Sequence, residues 1–209
     1  MLNTQFNKIE STLNQLFNES KNDRYKIMKS LAKSALRSIK PIDFKDVYLS
    51  ITKKQGIDLV QLVKENNFKN IVEFGTSFGI STLFLAQGVL ETKGKIITTE
   101  LLESKAKIAI ENFKTAEVNK LIEVRIGDAM ETLKGYNKPI DLLFLDGWKD
   151  LYLSLFLMLE SNFNSNTIIY VDNANMEESQ LFLKKISKNT DYFFTSKYKG
   201  KVVLIKKIH

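Results

Sequence analysis

Two apolar runs that each end in acid hold the densest chemistry of the chain: Leu142-Leu143-Phe144-Leu145-Asp146-Gly147-Trp148-Lys149-Asp150, and, a helix-length interval later, Ile168-Ile169-Tyr170-Val171-Asp172-Asn173. Apolar runs of that length fit strands buried on both faces, so Asp146 and the Asp172-Asn173 pair should emerge together at the carboxyl edge of one parallel sheet. That edge is where open α/β folds bind ligands. Three oxygen donors converging there, with the Lys149 ammonium three residues beyond the first, make a site for a hard divalent cation and a general base.

Composition narrows what else can act. The chain has no cysteine and its single histidine is the last residue, His209. Thiolate zinc sites, cysteine nucleophiles and histidine triads are therefore excluded, and the chemistry must use carboxylates, amides, hydroxyls and lysine. A chain of 209 residues with 26% charged and 44% hydrophobic content, without repeats or low-complexity tracts, fits one α/β domain. Met1 to Ser20 lacks a signal-peptide pattern and no apolar span reaches membrane length, which predicts a cytoplasmic protein without a membrane partner. The absence of cysteine agrees with a reducing compartment, yet suits a secreted protein without disulfides as well.

A net charge of +7 and a pI near 9.3 favour anionic partners. The excess gathers in two clusters. One comprises Lys21, Arg24, Lys26, Lys29, Lys33, Arg37 and Lys40; the other comprises Lys184, Lys185, Lys188, Lys197, Lys199, Lys201, Lys206 and Lys207. Both also read as solvated faces.

The elements that must position these residues follow from periodicity. Residues 4–50 read as helices. In the second of them Met28, Leu31, Ala35, Leu36 and Ile39 share one side, Lys29, Lys33 and Arg37 another, and Pro41 ends it. Residues 1–50 are expected to form a helical cap or a subunit contact, which makes a homodimer conceivable, and residues 51–209 the main domain. From Gln55 the pattern alternates: a helix from about Gly56 to Asn66, a strand at Asn70–Phe74, a turn over Gly75–Gly79 and a helix through Leu90. Further strands are expected at Lys95–Thr99, Ile122–Ile126, Asp141–Leu145 and Thr167–Val171, with Leu102, Ala106, Ala109, Ile110 and Phe113 marking a helix between the second and third. After a helix from about Glu177 to Lys188, strands at Asp191–Ser196 and Lys201–Ile205 are joined by so short a link that they must form an antiparallel hairpin. The expected fold is thus α/β, a doubly wound sheet of seven strands with the class I methyltransferase layout, a match of topology that licenses no reaction by itself.

The first strand-to-helix turn outlines a second half of the site. Gly75 and Gly79 bracket it and let a ligand approach the backbone and the helix amino end, although turn chemistry alone also accounts for them. Glu100, ending the second strand, is placed to accept the hydroxyl protons of a ribose, or is an exposed strand-end carboxylate. Gly127-Asp128-Ala129 ends the third strand where a base edge can be read, or Asp128 simply caps the next helix. Together they outline a nucleoside pocket.

With these pieces in place the chain resembles the S-adenosylmethionine-dependent O-methyltransferases of the catechol and caffeoyl-CoA type over about Leu49 to Lys207. Val72-Glu73-Phe74-Gly75-Thr76-Ser77-Phe78-Gly79-Ile80-Ser81 is similar to the first motif of that family, and Leu145-Asp146-Gly147-Trp148-Lys149-Asp150-Leu151-Tyr152 resembles the Asp-x-Trp-Lys-Asp-x-Tyr signature of its catechol members. The resemblance implies that Glu73, Gly75 and Ser81 hold the methionine part of S-adenosylmethionine and Glu100 its ribose. It implies Asp128, Ala129 and Trp148 around the adenine, with Ile51 touching the cofactor from an upstream loop and Asp146 at its edge. It also implies Asp146, Asp172 and Asn173 as the ligands of Mg2+ or another divalent cation, and Lys149 as the catalytic lysine. The chain departs from the family after Asn173, where Ala174-Asn175-Met176-Glu177-Glu178 is expected to run straight into a helix in place of a glycine- or proline-containing loop.

Three functions follow as expectations. The first is metal-dependent O-methylation of a small catechol-like hydroxyaromatic. The second is methylation of a tRNA base hydroxyl, for which the basic clusters supply the motive. The third is a non-catalytic protein that binds S-adenosylmethionine.

Overall fold

The computed structural model describes residues 2–23, 27–28, 40–48 and 50–208. Seven helices and seven strands follow in chain order among them: α1 (Leu2–Glu19), α2 (Lys53–Glu65), β1 (Asn70–Phe74), α3 (Ile80–Thr92), β2 (Lys95–Glu100), α4 (Glu103–Thr115), β3 (Ile122–Ile126), α5 (Ala129–Thr132), β4 (Ile140–Leu145), α6 (Tyr152–Leu159), β5 (Phe163–Val171), α7 (Glu177–Ile186), β6 (Tyr192–Lys197) and β7 (Val202–Lys207). The second front helix, expected over Met28, Leu31, Ala35, Leu36 and Ile39 with Lys29, Lys33 and Arg37 opposite, lies outside the described residues except for Met28, which is exposed.

All seven strands join one sheet in the order β3-β2-β1-β4-β5-β7-β6. The first five are parallel, β7 runs antiparallel to β5 and β6 antiparallel to β7, as the expected hairpin requires. The chain leaves β1 toward β2 and β3, then returns to β4 on the other side, so the order reverses between β1 and β4. A crevice opens at the carboxyl ends of strands at such a reversal.

Because side chains alternate along a strand, neighbouring apolar residues serve opposite cores. Ile71, Leu142, Phe144, Ile168 and Tyr170 pack on the face covered by α1 to α4, with Ile9, Leu13, Leu59, Val63, Leu83 and Phe113. Val72, Leu143, Leu145, Ile169 and Val171 face Tyr152, Leu155, Phe156, Phe182 and Ile186 of α6 and α7. Both faces are dry, so each of these aliphatic or aromatic side chains contributes roughly 1.5–3 kcal/mol of burial. Helix α3 is buried nearly all round because α1 and α2 lie over it; Phe17 of α1 meets Phe84 of α3 at 6.2 Å between ring centres.

Two starts differ from expectation by three or more residues. β5 begins at Phe163, four residues early, because Thr167 Oγ1 accepts the Asn164 amide and donates to Ile140 O, extending pairing through a polar stretch. α2 begins at Lys53, capped by Thr52, whose side chain accepts from Gln55 N while the Gln55 side chain accepts from Thr52 N. α7 starts at Glu177, as expected, and the link to it from Asn173 is a turn over 172–176 with Met176 N bonded to Asn173 O.

Candidate active site

The strand ends lock to one another by single main-chain bonds. Asp146 N donates to Phe74 O, Asp172 N to Leu145 O, and Gly127 N to Glu100 O, at 2.9–3.0 Å. The turn after β1 crosses tightly over the end of β4. Gly75 sits at φ 105°, and a Cβ there would lie 2.7 Å from Gly147 N and 2.8 Å from Asp146 O, so only glycine fits. These constraints gather one cavity of about 1300 Å³ at the reversal point. Its wall includes Ile51, Gly75, Ser81, Glu100, Asp128, Ala129, Asp146, Trp148, Lys149, Asp172 and Asn173.

Glu73 is the exception among the residues singled out from sequence. It does not reach the wall. Its carboxylate is wholly buried behind the turn, accepting from Ser81 Oγ at 2.6 Å, Thr82 Oγ1 at 2.5 Å and Thr98 Oγ1 at 2.6 Å. Burial raises its pKa, the three hydroxyl donors oppose that, and the charge of Glu100 adds to it. Any hold of Glu73 on the methionine part must pass through Ser81, which does line the cavity.

At the β2 and β3 end, Glu100 Oε2 accepts Ser77 N at 2.8 Å and Oε1 accepts Leu102 N at 3.0 Å, which fixes both oxygens at the rim with acceptor capacity to spare. Asp128 does cap α5, accepting Met130 N at 2.8 Å, and lines the cavity as well. Trp148 Nε1 donates to Asp150 Oδ2 at 3.2 Å. The front segment closes this end: Ser77 Oγ donates to Tyr48 O at 2.8 Å, Lys105 Nζ donates to Val47 O at 2.9 Å, and the Tyr48 and Phe78 rings lie 4.4 Å apart. Burial lowers the pKa of Lys105 against the opposing charges of Glu100, Asp23 and Asp46.

At the other end, Asp146 and Asp172 line the cavity and interact through their charges. Burial pushes the Asp146 carboxyl well above the usual carboxylate range; Lys149 opposes the shift, Asp172 and Glu73 reinforce it, and Lys201 opposes it. Since the charge of Asp172 opposes ionisation of Asp146, a cation between the two would relieve their repulsion. With the Asn173 amide beside them, the donor set is all oxygen, the kind a hard cation takes. The third donor is an amide, so no cluster of three or more His, Cys, Asp or Glu occurs among the described residues. Lys149 Nζ donates to Gly147 O at 2.9 Å and lies 3.6 Å from Asp146 Oδ1.

Sequence reasoning missed Gln55 and Lys201. Gln55 Nε2 donates to Asp172 Oδ1 at 2.8 Å, and Lys201 Nζ lies 3.8 Å from Asp172 Oδ2. The Thr52-x-x-Gln55 capping pattern was a visible signal that Gln55 is fixed, though not of what it holds.

A family model described as O-methyltransferase matches residues 18–184. The chain belongs to the O-methyltransferase family. It is 30% identical over 130 residues to a catechol O-methyltransferase of Niastella koreensis, a match covering 60% of this chain and 58% of that protein. It is 29% identical over 127 residues to one of Mycobacterium tuberculosis, covering 60% and 57%. The matched region therefore spans somewhat over half the length of these curated relatives. Among solved structures, the S-adenosylhomocysteine-bound O-methyltransferase of Bacillus cereus superposes with a TM-score of 0.69 at 24% identity, covering 95% of this chain and 91% of that one. The S-adenosylhomocysteine-bound methyltransferase PaMTH1 of Podospora anserina gives 0.72 at 20% identity, covering 88% of each. These likenesses establish the shared fold.

Proposed function

We propose that this member of the O-methyltransferase family moves a methyl group from S-adenosylmethionine to a hydroxyl of a small catechol-like aromatic, with a divalent cation at Asp146, Asp172 and Asn173. One observation carries the reading. An end edged by Glu100, Asp128 and Trp148 and an end lined by Asp146, Lys149, Asp172 and Asn173 share a single cavity at the strand-order reversal. Family membership and the catechol O-methyltransferases among the relatives support the reaction class and acceptor.

S-adenosylmethionine supplies an electrophilic methyl carbon when bound, and a hard cation supplies Lewis acidity toward an acceptor hydroxyl. The protein's own groups do the rest. Glu100 takes the ribose hydroxyls, and Ser81, braced by Glu73, meets the methionine part. Asp128, Ala129, Trp148 and Ile51 bound the base. Asp146, Asp172 and Asn173 would hold the cation, and Lys149, as the neutral amine, would accept the proton of the acceptor hydroxyl. Holding the methyl carbon and the acceptor oxygen side by side and in line along one wall lowers the barrier by alignment. Residues 51–209 form the catalytic unit, the described front segments 2–23 and 40–48 cap it, and the protein works in the cytoplasm. No described helix is long and apolar enough to cross a membrane.

A second reading, a tRNA hydroxyl as acceptor, draws on Lys54, Lys197 and Lys199, which line a separate shallow depression. Transfer of labelled methyl to catechols and to total tRNA, each with and without chelator, separates the readings. The first predicts chelator-sensitive labelling of catechols; labelling of tRNA alone, weakening steeply with salt, would replace it with the second. Tight cofactor binding with no transfer to either would favour a non-catalytic protein.

A further inference from the structure

The cation end holds one charge more than its proposed chemistry uses. Lys201 ends the link from β6 to β7, and its carbonyl accepts Ala174 N at 2.7 Å, which pins the main chain of Lys201 to the turn carrying Asp172 and Asn173. Its side chain reaches inward and lines the cavity. Lys201 Nζ donates to Gln55 Oε1 at 3.1 Å and lies 3.8 Å from Asp172 Oδ2, while Gln55 Nε2 donates to Asp172 Oδ1 at 2.8 Å. Both oxygens of Asp172 are thus already engaged by the protein itself.

Two acidic residues, Asp146 and Asp172, stand at this end against two lysines, Lys149 and Lys201. A divalent ion entering beside two ammonium groups gains less than one entering beside a single ammonium. The two partners of Asp172 differ in freedom. Gln55 is buried and tied to Thr52 through the cap of α2, so it stays and orients the carboxylate. The Lys201 side chain is 35% exposed against 3% for Asp172 and has a four-carbon stem, so it can withdraw into the cavity.

We propose that Lys201 is an internal counter-ion that competes with the divalent cation for Asp172, so that this chain binds its metal weakly and the metal displaces the lysine. The proposal rests on the cation site described under the proposed function. Gln55 is a positioning residue in the same arrangement and remains bonded to Asp172 in both states.

The test is Mn2+ binding to the full chain by calorimetry, without cofactor or acceptor, for the wild type, Lys201→Met, Lys201→Arg and Asp146→Asn, with thermal melts to verify folding and Lys201→Gln in reserve if the Met variant does not fold. Removal of the ammonium should tighten Mn2+ by about tenfold or more, while Lys201→Arg keeps the charge and stays within about threefold of wild type. Asp146→Asn should bind little. Unchanged or weaker binding by Lys201→Met, with Asp146→Asn impaired, overturns the competition and leaves the cation site standing. No binding by any variant, or binding untouched by Asp146→Asn, overturns both.

Discussion

Lys149 and Asp146 lie 3.6 Å apart, yet the account gives them separable tasks. Lys149→Met keeps most of the side-chain bulk and removes the ammonium. Turnover should fall by about 10²–10⁴, the usual worth of a positioned acid or base, with cofactor affinity nearly unchanged. An equal loss of both, measured by steady-state kinetics and cofactor titration, would assign Lys149 a structural part. Asp146 sets a pH dependence. Its carboxyl is held above the usual range by burial first and by Asp172 and Glu73 next, so in the metal-free protein it keeps its proton to higher pH than a free aspartate. A cation needs the carboxylate. Metal binding should therefore release protons and tighten as pH rises toward the raised value, a trend readable by calorimetry in buffers of different ionisation enthalpy. Binding without proton release would contradict the raised value. The same sign governs stability: the contribution of Asp146 to the metal-free fold is fully present below the ordinary aspartate pKa and is lost as pH rises through the raised one.

At the scale of elements, the turn after β1 is the tightest point of the site. Gly75→Ala would set a Cβ against the backbone of Asp146 and Gly147 at a φ that other residues avoid. A loss of about 2 kcal/mol in stability is expected, by denaturant unfolding, together with weaker cofactor binding because the end of β4 must shift. Unchanged values for both would mean that the turn does not bear on β4. The strands themselves were legible from sequence because β1, β4 and the second half of β5 are buried on both faces and are mostly apolar, unbroken over Leu142–Leu145 and Ile168–Val171 and interrupted in β1 only by Glu73. The early start of β5 was not, since Asn164, Ser165 and Asn166 are exposed and offer no apolar signal. Helix α6 was legible only as an interval between motifs: Tyr152–Leu159 is apolar almost throughout, so it shows no amphipathic period. In the site, acids that end strands could be placed from the pattern alone. Gln55 and Lys201 could not, because they meet Asp172 only after the hairpin folds back beside β5 and α2 packs across the sheet. Glu73 looked like a ligand contact because it lies inside the first motif, but alternation along β1 turns it into the protein.

For the whole molecule, the sheet between two helical layers is what keeps the two ends of the cavity in register. Phe144 lies at its centre on β4, fully buried, with the Tyr170 ring 5.0 Å away. Phe144→Ala should cost about 3–5 kcal/mol by urea unfolding, a large part of the 5–15 kcal/mol typical of a domain. A cost under about 1 kcal/mol would argue against a dry central layer. The front segment is fastened to the same body: α1 packs Ile9, Leu13 and Leu16 into the core, and Tyr48, Ser77 and Lys105 join 47–48 to the cofactor turn. The central claim is that a methyl donor and a cation-held acceptor oxygen lie side by side along one cavity wall. A crystal structure of the protein with S-adenosylhomocysteine and Mn2+, read by anomalous scattering, tests it most directly. The account predicts a manganese peak among Asp146, Asp172 and Asn173 with the ribose on Glu100; a peak elsewhere, or a nucleoside that avoids Glu100, would contradict it.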